Sequence, residues 1–432
     1  MKDIDLIESE LSRCNKCGYC MQSCPVYRVV RREVEVARGR NQTVRAVAGG
    51  AAVTREMVLP FFSCLLCGAC TIDCFGRVQT KQLMVRARDA YHAEYGQPAI
   101  QRYIFRKLLP NPDRLAQLVR LTALGKRTGL SGVARRLGLL RWISPALDAA
   151  DSLVDEMPRA FLRDRLQALG FARVEQGGVS VMRLDPERAT GPKVLYFIGC
   201  GTNFQLPRTG EAAIRVLRAA GCQVTIAPNN CCGLPPWSYG DIEAASLLAQ
   251  RNVDLLSALD FDVMVSECGS CSGFLKEYET LLPQEPKARH LAERTRDITE
   301  LLATCALPTL RQAQGAVGAG ATVTYHDPCH LGRQQEVTVA PRKLLVDAAG
   351  LKLVEMAESN WCCGGAGSYN LSHPEMSREI LARKMSRIDA TQADIICTAC
   401  PACIIQISSG SRDSANPRPV RHVVELLAER LP

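Results

Sequence analysis

The chain has 432 residues, 47% hydrophobic and 22% charged, an ordinary balance for about three globular domains with apolar cores of their own. Lysine and arginine total 53 against 44 acids, a net charge of +9, while aromatics make up only 5%. With no recognised binding motif beside that charge, nucleic acid is excluded as the expected partner. Uncharged stretches at 219–240 and 395–411 are broken by Asn, Pro, Gly and Ser, so neither reads as a membrane span. The outlier is cysteine, 21 residues in tight groups. The start, Met1-Lys2-Asp3-Ile4-Asp5, lacks the basic and apolar regions of a secretory signal. Thiols kept in a reducing cytosol point to metal ligation rather than to disulfides. The expectation is a cytoplasmic metalloprotein, soluble or peripheral at the inner face of the membrane.

In chain order, the first group is Cys14-x2-Cys17-x2-Cys20-x3-Cys24-Pro25, followed by Cys64-x2-Cys67-x2-Cys70-x3-Cys74. Each has the spacing of a bacterial ferredoxin run, in which three close thiolates hold three corners of a cubane 4Fe-4S cluster and the fourth turns toward a second cluster. The expected ligation is therefore crossed. Cys14, Cys17, Cys20 and Cys74 share one cubane; Cys64, Cys67, Cys70 and Cys24 share the other. Zinc or a redox disulfide would require two complete runs to arise by accident. Pro25 follows the first run, but Phe75 stands where the second would have its Pro. Residues 33–48 have few breakers apart from Gly39, so residues 1–95 read as a mainly α-helical ferredoxin-type domain.

Residues 96–190 read as a basic helical linker. Between 101 and 141 lie ten basic side chains, Arg120, Arg135, Arg136 and Arg141 among them, and one acid, Asp113. Leucines recur there in a partly helical rhythm broken at Pro110 and Pro112. Such a segment is either a solvated helical face or a dock for an acidic partner subunit or an anionic membrane surface.

The remainder is a duplication. Cys200, Cys231-Cys232-Gly233 and Cys268-x2-Cys271 are repeated as Cys329, Cys362-Cys363-Gly364 and Cys400-x2-Cys403, with offsets of 129 to 132 residues. In each copy the cysteine groups follow short β-like runs, at 194–198, 224–226 and 263–265, then 322–325, 352–355 and 394–396. Helical patterns at 211–220, 241–259, 341–349 and 377–391 separate them. The expectation is two α/β domains, 191–315 and 320–432, with thiols leaving the carboxyl ends of the strands, where open α/β sheets place their sites. Adjacent cysteines need an irregular turn, which Gly233 can supply through a positive φ. Five thiolates exceed the four a tetrahedral zinc accepts, so an iron–sulfur cluster is the better match, with zinc in one or both copies as the alternative.

The two five-cysteine units resemble the cysteine-rich domain of heterodisulfide reductases, in which five cysteines hold a non-cubane 4Fe-4S cluster. Their fusion to a double-cluster N-terminus resembles the iron–sulfur subunit of glycolate or lactate oxidase, the D-type heterodisulfide reductase subunit and the small iron–sulfur subunit of anaerobic glycerol-3-phosphate dehydrogenase. Glu35-Val-Ala-Arg38-Gly39-Arg40, Gly273-Phe-Leu-Lys-Glu-Tyr278, His326-Asp-Pro-Cys-His330 and Cys362-Cys-Gly-Gly-Ala-Gly367 look like the glycolate-oxidase branch. The completeness of both five-cysteine sets points the other way, toward disulfide chemistry.

The resemblance implies an α+β multidomain chain: an α-helical ferredoxin module followed by two duplicated Rossmann-like α/β cysteine-rich domains. It implies two cubane 4Fe-4S clusters, one or two further non-cubane clusters, and no flavin on this chain. Clusters move single electrons whereas oxidising a 2-hydroxy acid removes a hydride, so an FAD-linked oxidase subunit is the expected partner, with a quinone or membrane-bound acceptor beyond. The implied role is electron transfer within an FAD-dependent glycolate or lactate dehydrogenase. The alternatives are a catalytic heterodisulfide-reductase-like subunit, and a chain in which one repeat only binds a partner or membrane anchor. No catalytic residue is singled out.

Three cysteines remain. Cys397 matches Val265 by the repeat offset and reads as a buried core thiol; Cys222 and Cys305 read as small packed hydrophobes at element ends. His326 and His330 flank Cys329 and either hydrogen-bond to cluster sulfur or serve a structural role. Gly315-x2-Gly318-x-Gly320 precedes a strand, the wrong place for a dinucleotide fingerprint, and reads as a loop.

Overall fold

The computed structural model describes residues 4–52, 54–143, 148, 151–152, 157–185, 190–307 and 321–431; the glycine-rich loop at 315–320 lies outside them. The N-terminal part is helical, comprising α1 (Ile4–Ser12), α2 (Cys20–Ser23), α3 (Pro25–Val30), α4 (Ala37–Ala48), α5 (Arg55–Phe62), α6 (Ala69–Ile72) and α7 (Thr80–Tyr95). Local chemistry sets these boundaries. Pro25 occupies the first position of α3, where its missing N–H is no loss, and the Cys24 sulfur accepts from the Tyr27 amide at 3.5 Å. Thr54 caps α5 through the Met57 amide. Gly39 is obligatory: a Cβ there would lie 2.2 Å from the Glu33 carbonyl oxygen.

Beyond α7 the chain runs through short helices and Pro112–Arg127, Leu130–Arg136 and Leu139–Ile143. The last three pack little. Leu121, Leu130, Leu137 and Trp142 are exposed, Trp142 at 85%. The helical linker does not extend to residue 190, however. Ala172–Gln176 (β1) and Val179–Leu184 (β2) form an antiparallel hairpin around Gly177 and Gly178, both at positive φ. The physical signal was local: a Gly-Gly pair between runs of alternating valines is hairpin chemistry.

β2 joins the first α/β sheet by pairing antiparallel with β4. That sheet contains β3 (Lys193–Tyr196), β4 (Gln223–Ile226), β5 (Val263–Ser266) and β6 (Thr295–Asp297), and its full order is β1-β2-β4-β3-β5-β6. The second sheet contains β7 (Thr322–His326), β8 (Lys352–Leu353), β9 (Ile395–Thr398) and β10 (Val420–His422), in the order β10-β9-β7-β8. Without the hairpin, both sheets follow one plan: first strand beside second and third, fourth outside the third, all parallel. Their inner strands are short and largely buried, as in sheets covered on both faces.

One apolar core runs from the N-terminal helices (Ile7, Phe61, Met84) into the first repeat (Phe197, Trp237, Met264), with Cys231, Cys232, Cys268 and Cys271 in its wall. A second core spans both sheets through Tyr196, Val265, Tyr325 and Cys397. Cys397 is fully buried opposite Tyr325 in the β7–β9 register. Among the described residues, no helix is long and apolar enough to cross a membrane.

Candidate metal centres

The two N-terminal runs wind alike. Lys16 and Gly18 in the first, and Leu66 and Gly68 in the second, take positive φ at equivalent positions, turning the intervening backbone so that successive thiols converge. Cys70 faces Cys64, Cys67 and Cys24, and burial among these thiols pushes it well above the ordinary thiol value. Burial also pushes Cys20 up, to about 11, with Cys24 and Cys14 as its thiol neighbours. Gly76, just past Cys74, packs so closely on Arg13 that a Cβ would meet the Arg13 carbonyl oxygen at 2.4 Å, which brings the end of the second run to the start of the first. Phe75 is 79% exposed and meets Tyr19 edge-on at 5.1 Å.

Three guanidinium groups surround the inner run, and two of them carried no sequence signal. Arg40, buried, donates to Pro60 O (2.6 Å) and Ser63 Oγ (2.9 Å) and pairs with Glu35 at 3.3 Å. Arg88 donates to the carbonyls of Phe61, Cys64 and Ser238, and its burial lowers it to about 10. Arg333, from the second repeat, donates to Cys67 O at 3.3 Å. Buried cations beside buried thiols fit a site that binds an anionic group. Glu35, Gly39 and Arg40 thus earn their place in the motif by shaping and charging the wall behind Cys24 and Cys64.

In the repeats, the first cysteine of each set and the first of each Cys-x2-Cys pair stand just beyond a strand. Cys200 opens a helix after β3, and Cys268 caps Gly269–Lys276 after β5; Cys329 and Cys400 do the same after β7 and β9. Gly233 and Gly364 follow the cysteine pairs at φ +97° and +86°. The irregular turn at Cys231-Cys232 is held by Asn252, fully buried, whose Nδ2 donates to Cys231 O, and by Tyr278, whose hydroxyl donates to Cys232 O at 2.7 Å.

The ten thiols form one thread. Cys329 touches Cys362, Cys362 touches Cys363, and Cys363 lies 3.7 Å from Cys403, which meets Cys400. Cys400 contacts Cys268, its counterpart in the other repeat; contacts then continue through Cys271, Cys232 and Cys231 to Cys200. Thiol–thiol contacts hold Cys362 and Cys400 well below the ordinary value. At the other end, Cys67 of the inner run feels Cys362 across the boundary. Neither repeat is therefore a separate site.

The leftover residues resolve differently. Cys222 is fully buried in the second core and Cys305 packs, partly buried, against it; the two thiols are near enough to perturb one another. His330 Nδ1 contacts Ser270 Oγ at 3.0 Å, and that serine lies 3.5 Å from Cys400 Sγ, so it reaches sulfur through an intermediary. His326 lies beside Cys363 and Cys403, and burial lowers it to about 3.

Clustered thiols, too numerous in each repeat for one tetrahedral ion and flanked by arginines at the inner N-terminal run, fit iron–sulfur clusters. Comparison with known proteins agrees. Residues 10–78 match the 4Fe-4S dicluster domain, residues 96–154 the linker region of the glycolate oxidase iron–sulfur subunit, and residues 194–276 and 323–408 the cysteine-rich domain. The chain is 31% identical to the probable glycolate oxidase iron–sulfur subunit of Bacillus subtilis, over 98% of this chain and 94% of that one. It is 27% identical to the glycolate oxidase iron–sulfur subunit of Escherichia coli, over 98% and 95%. Lactate utilization protein A of an Exiguobacterium species is 28% identical over 55% of this chain and 98% of its own.

Proposed function

The chain belongs to the family of glycolate oxidase iron–sulfur subunits, and from that membership we propose its role as the iron–sulfur electron-transfer subunit of a glycolate or lactate oxidase complex. When bound, clusters of this kind supply one-electron transfer. The observation that carries the reading is the series of neighbouring thiols running from the second repeat into the first, with Cys67 of the N-terminal module close enough to feel Cys362.

In finer terms, Cys14, Cys17, Cys20 and Cys74 hold an outer cubane and Cys24, Cys64, Cys67 and Cys70 an inner one. Cys329, Cys362, Cys363, Cys400 and Cys403 hold a third, non-cubane cluster, and Cys200, Cys231, Cys232, Cys268 and Cys271 a fourth. The first 95 residues act as the ferredoxin-type module, and the two α/β parts as Rossmann-like duplicates. Arg40, Arg88 and Arg333 offset the negative charge of the inner group and keep water from its thiols. Hydride abstraction falls to an FAD-linked partner.

The acceptor is a quinone or another membrane-bound carrier, reached from the cytoplasmic face. The exposed leucines and Trp142 of 112–143, interleaved with Arg127, Arg136 and Arg141, suit an interfacial surface. A catalytic disulfide reductase is the less favoured reading, because the two full-length relatives above are named as glycolate oxidase subunits.

Anaerobic native purification with mass spectrometry of the bound proteins tests the role. An FAD-linked oxidase subunit at constant ratio is the expected result. Recovery with a disulfide-reductase flavoprotein, and no oxidase subunit, would overturn it.

A further inference from the structure

The two cysteine-rich sites are built to one plan but differ at the residue that follows the shared strand tyrosine. The residue ending β7 is His326; in the first repeat the residue after the matching Tyr196 is Phe197. Both side chains are buried, at 1% exposure. A phenyl ring there is ordinary packing. An imidazole brings two ring nitrogens, each needing a partner.

Only one nitrogen finds it. Nδ1 lies 3.1 Å from the Ser359 carbonyl oxygen, which can only accept, so the ring proton sits on Nδ1. The same carbonyl also accepts from the Asp327 amide at 3.1 Å and from the Lys384 ammonium at 3.1 Å, which fixes its place firmly. Nε2 is then left as a lone pair, buried, with no hydrogen-bond partner among the described residues. Leaving a buried acceptor unsatisfied costs about 1–3 kcal/mol.

The surroundings supply what hydrogen bonding does not. His326, Cys363 and Cys403 bring one ligand atom each within 4.8 Å of one another, and the two sulfurs are 3.7 Å apart. A histidine whose far nitrogen is free while its near N–H is donated to a backbone carbonyl is how proteins present imidazole to a metal.

We propose that His326 Nε2 is a direct iron ligand in the second cysteine-rich site, beside Cys363 and Cys403, so that this centre has mixed nitrogen and sulfur ligation while its first-repeat counterpart is bound by sulfur alone. The inference rests on the reading above that the repeats hold iron–sulfur clusters. A nitrogen donor added to the five thiolates of one centre and absent from the other makes the two halves of the thread unequal.

The test is pulsed EPR on the anaerobically purified complex from cells fed natural-abundance or ring-15N histidine. The expected result is a strong 14N coupling that turns into 15N coupling on labelling. In His326→Phe, which copies Phe197, that coupling disappears, the midpoint potential of one centre shifts, and both cubane signals persist. Labelling of the unmodified protein decides the matter even if His326→Phe does not fold. A full iron complement without histidine nitrogen coupling would overturn the ligand assignment alone. If Cys363→Ala loses no iron, or the site holds zinc, the cluster reading itself fails and the assignment with it.

Discussion

Arg40 is the residue whose loss the structure prices most clearly. In Arg40→Met the side chain keeps much of its bulk but leaves the Glu35 carboxylate, 12% exposed, without its cation. Ser63 cannot compensate. Its single hydroxyl proton is already shared between Glu35 and the Pro60 carbonyl, and losing the Arg40 bonds leaves both acceptors competing for it. Breaking a buried pair from one side costs about 3–5 kcal/mol. The guanidinium also faces Cys64, Cys24 and Cys70, so its removal makes a reduced inner cluster harder to form and lowers that potential. Urea titration under argon, followed by visible absorbance, should show destabilisation of that order, and redox-titrated EPR should show a downward shift in the inner cubane only. Arg40→Met with Glu35→Gln should recover at least half the stability, because the stranded charge is gone, but none of the potential shift. A single variant within about 0.5 kcal/mol of the parent, the range of changes at unremarkable surface sites, would refute the reasoning.

Four further outcomes follow. Cys24→Ser should abolish the signal of the cubane held by Cys64, Cys67 and Cys70 and spare the other, with Cys74→Ser doing the reverse; an uncrossed pattern in EPR would reject the assignment. Tyr278→Phe removes the donor to Cys232 O and should cost about 1–3 kcal/mol, with iron lost from the first repeat alone by quantitative analysis. His422 is buried and lowered to about 4 by that burial, its Nε2 donating to Glu267 O at 2.8 Å. The unfolded chain therefore takes up its proton first, and stability should fall as pH drops from 6.5 toward 4, by about 3 kcal/mol over the window from this group; denaturation curves for His422→Gln should lose that share of the slope and keep the part due to His326 and His330. Finally, Arg136→Glu with Arg141→Glu should reduce co-sedimentation with anionic vesicles several-fold, and unchanged sedimentation would make the 112–143 surface a solvated one.

Cysteine spacing made much of the site legible because metal ligation constrains sequence locally: a thiolate three residues from another has few uses. The duplication was legible for the same reason, since each thiol group leaves a strand end. Less visible were partners supplied by tertiary packing. Arg88 and Arg333 sit 24 residues or more from the thiols they flank, and nothing in their local sequence marks them. The hairpin at 172–184 was obscured by the basic helical rhythm before it, although Gly177-Gly178 carried the needed signal. Cys222 and Cys305 lie in connections 83 residues apart in the chain, so their proximity could not be read from either alone.

The meeting of Cys268 with Cys400 says why the duplication matters. Each is the first cysteine of its Cys-x2-Cys pair and caps the helix after a third strand, so equivalent edges of two equivalent sheets face each other there. The Gly269 amide donates to Ala399 O at 3.2 Å across the junction, and a Cβ on Gly269 would lie 2.9 Å from Leu331 Cβ. The approach is thus close enough to exclude a larger residue. A symmetric junction by itself gives electrons no preferred direction. Two features distinguish the second-repeat end: the inner N-terminal run reaches it through Cys67 and Arg333, and His326 stands there where the first repeat has a phenylalanine. Both act on one site, so under the proposed electron-transfer role the asymmetry lies where the N-terminal module joins the thread rather than at the junction between the repeats.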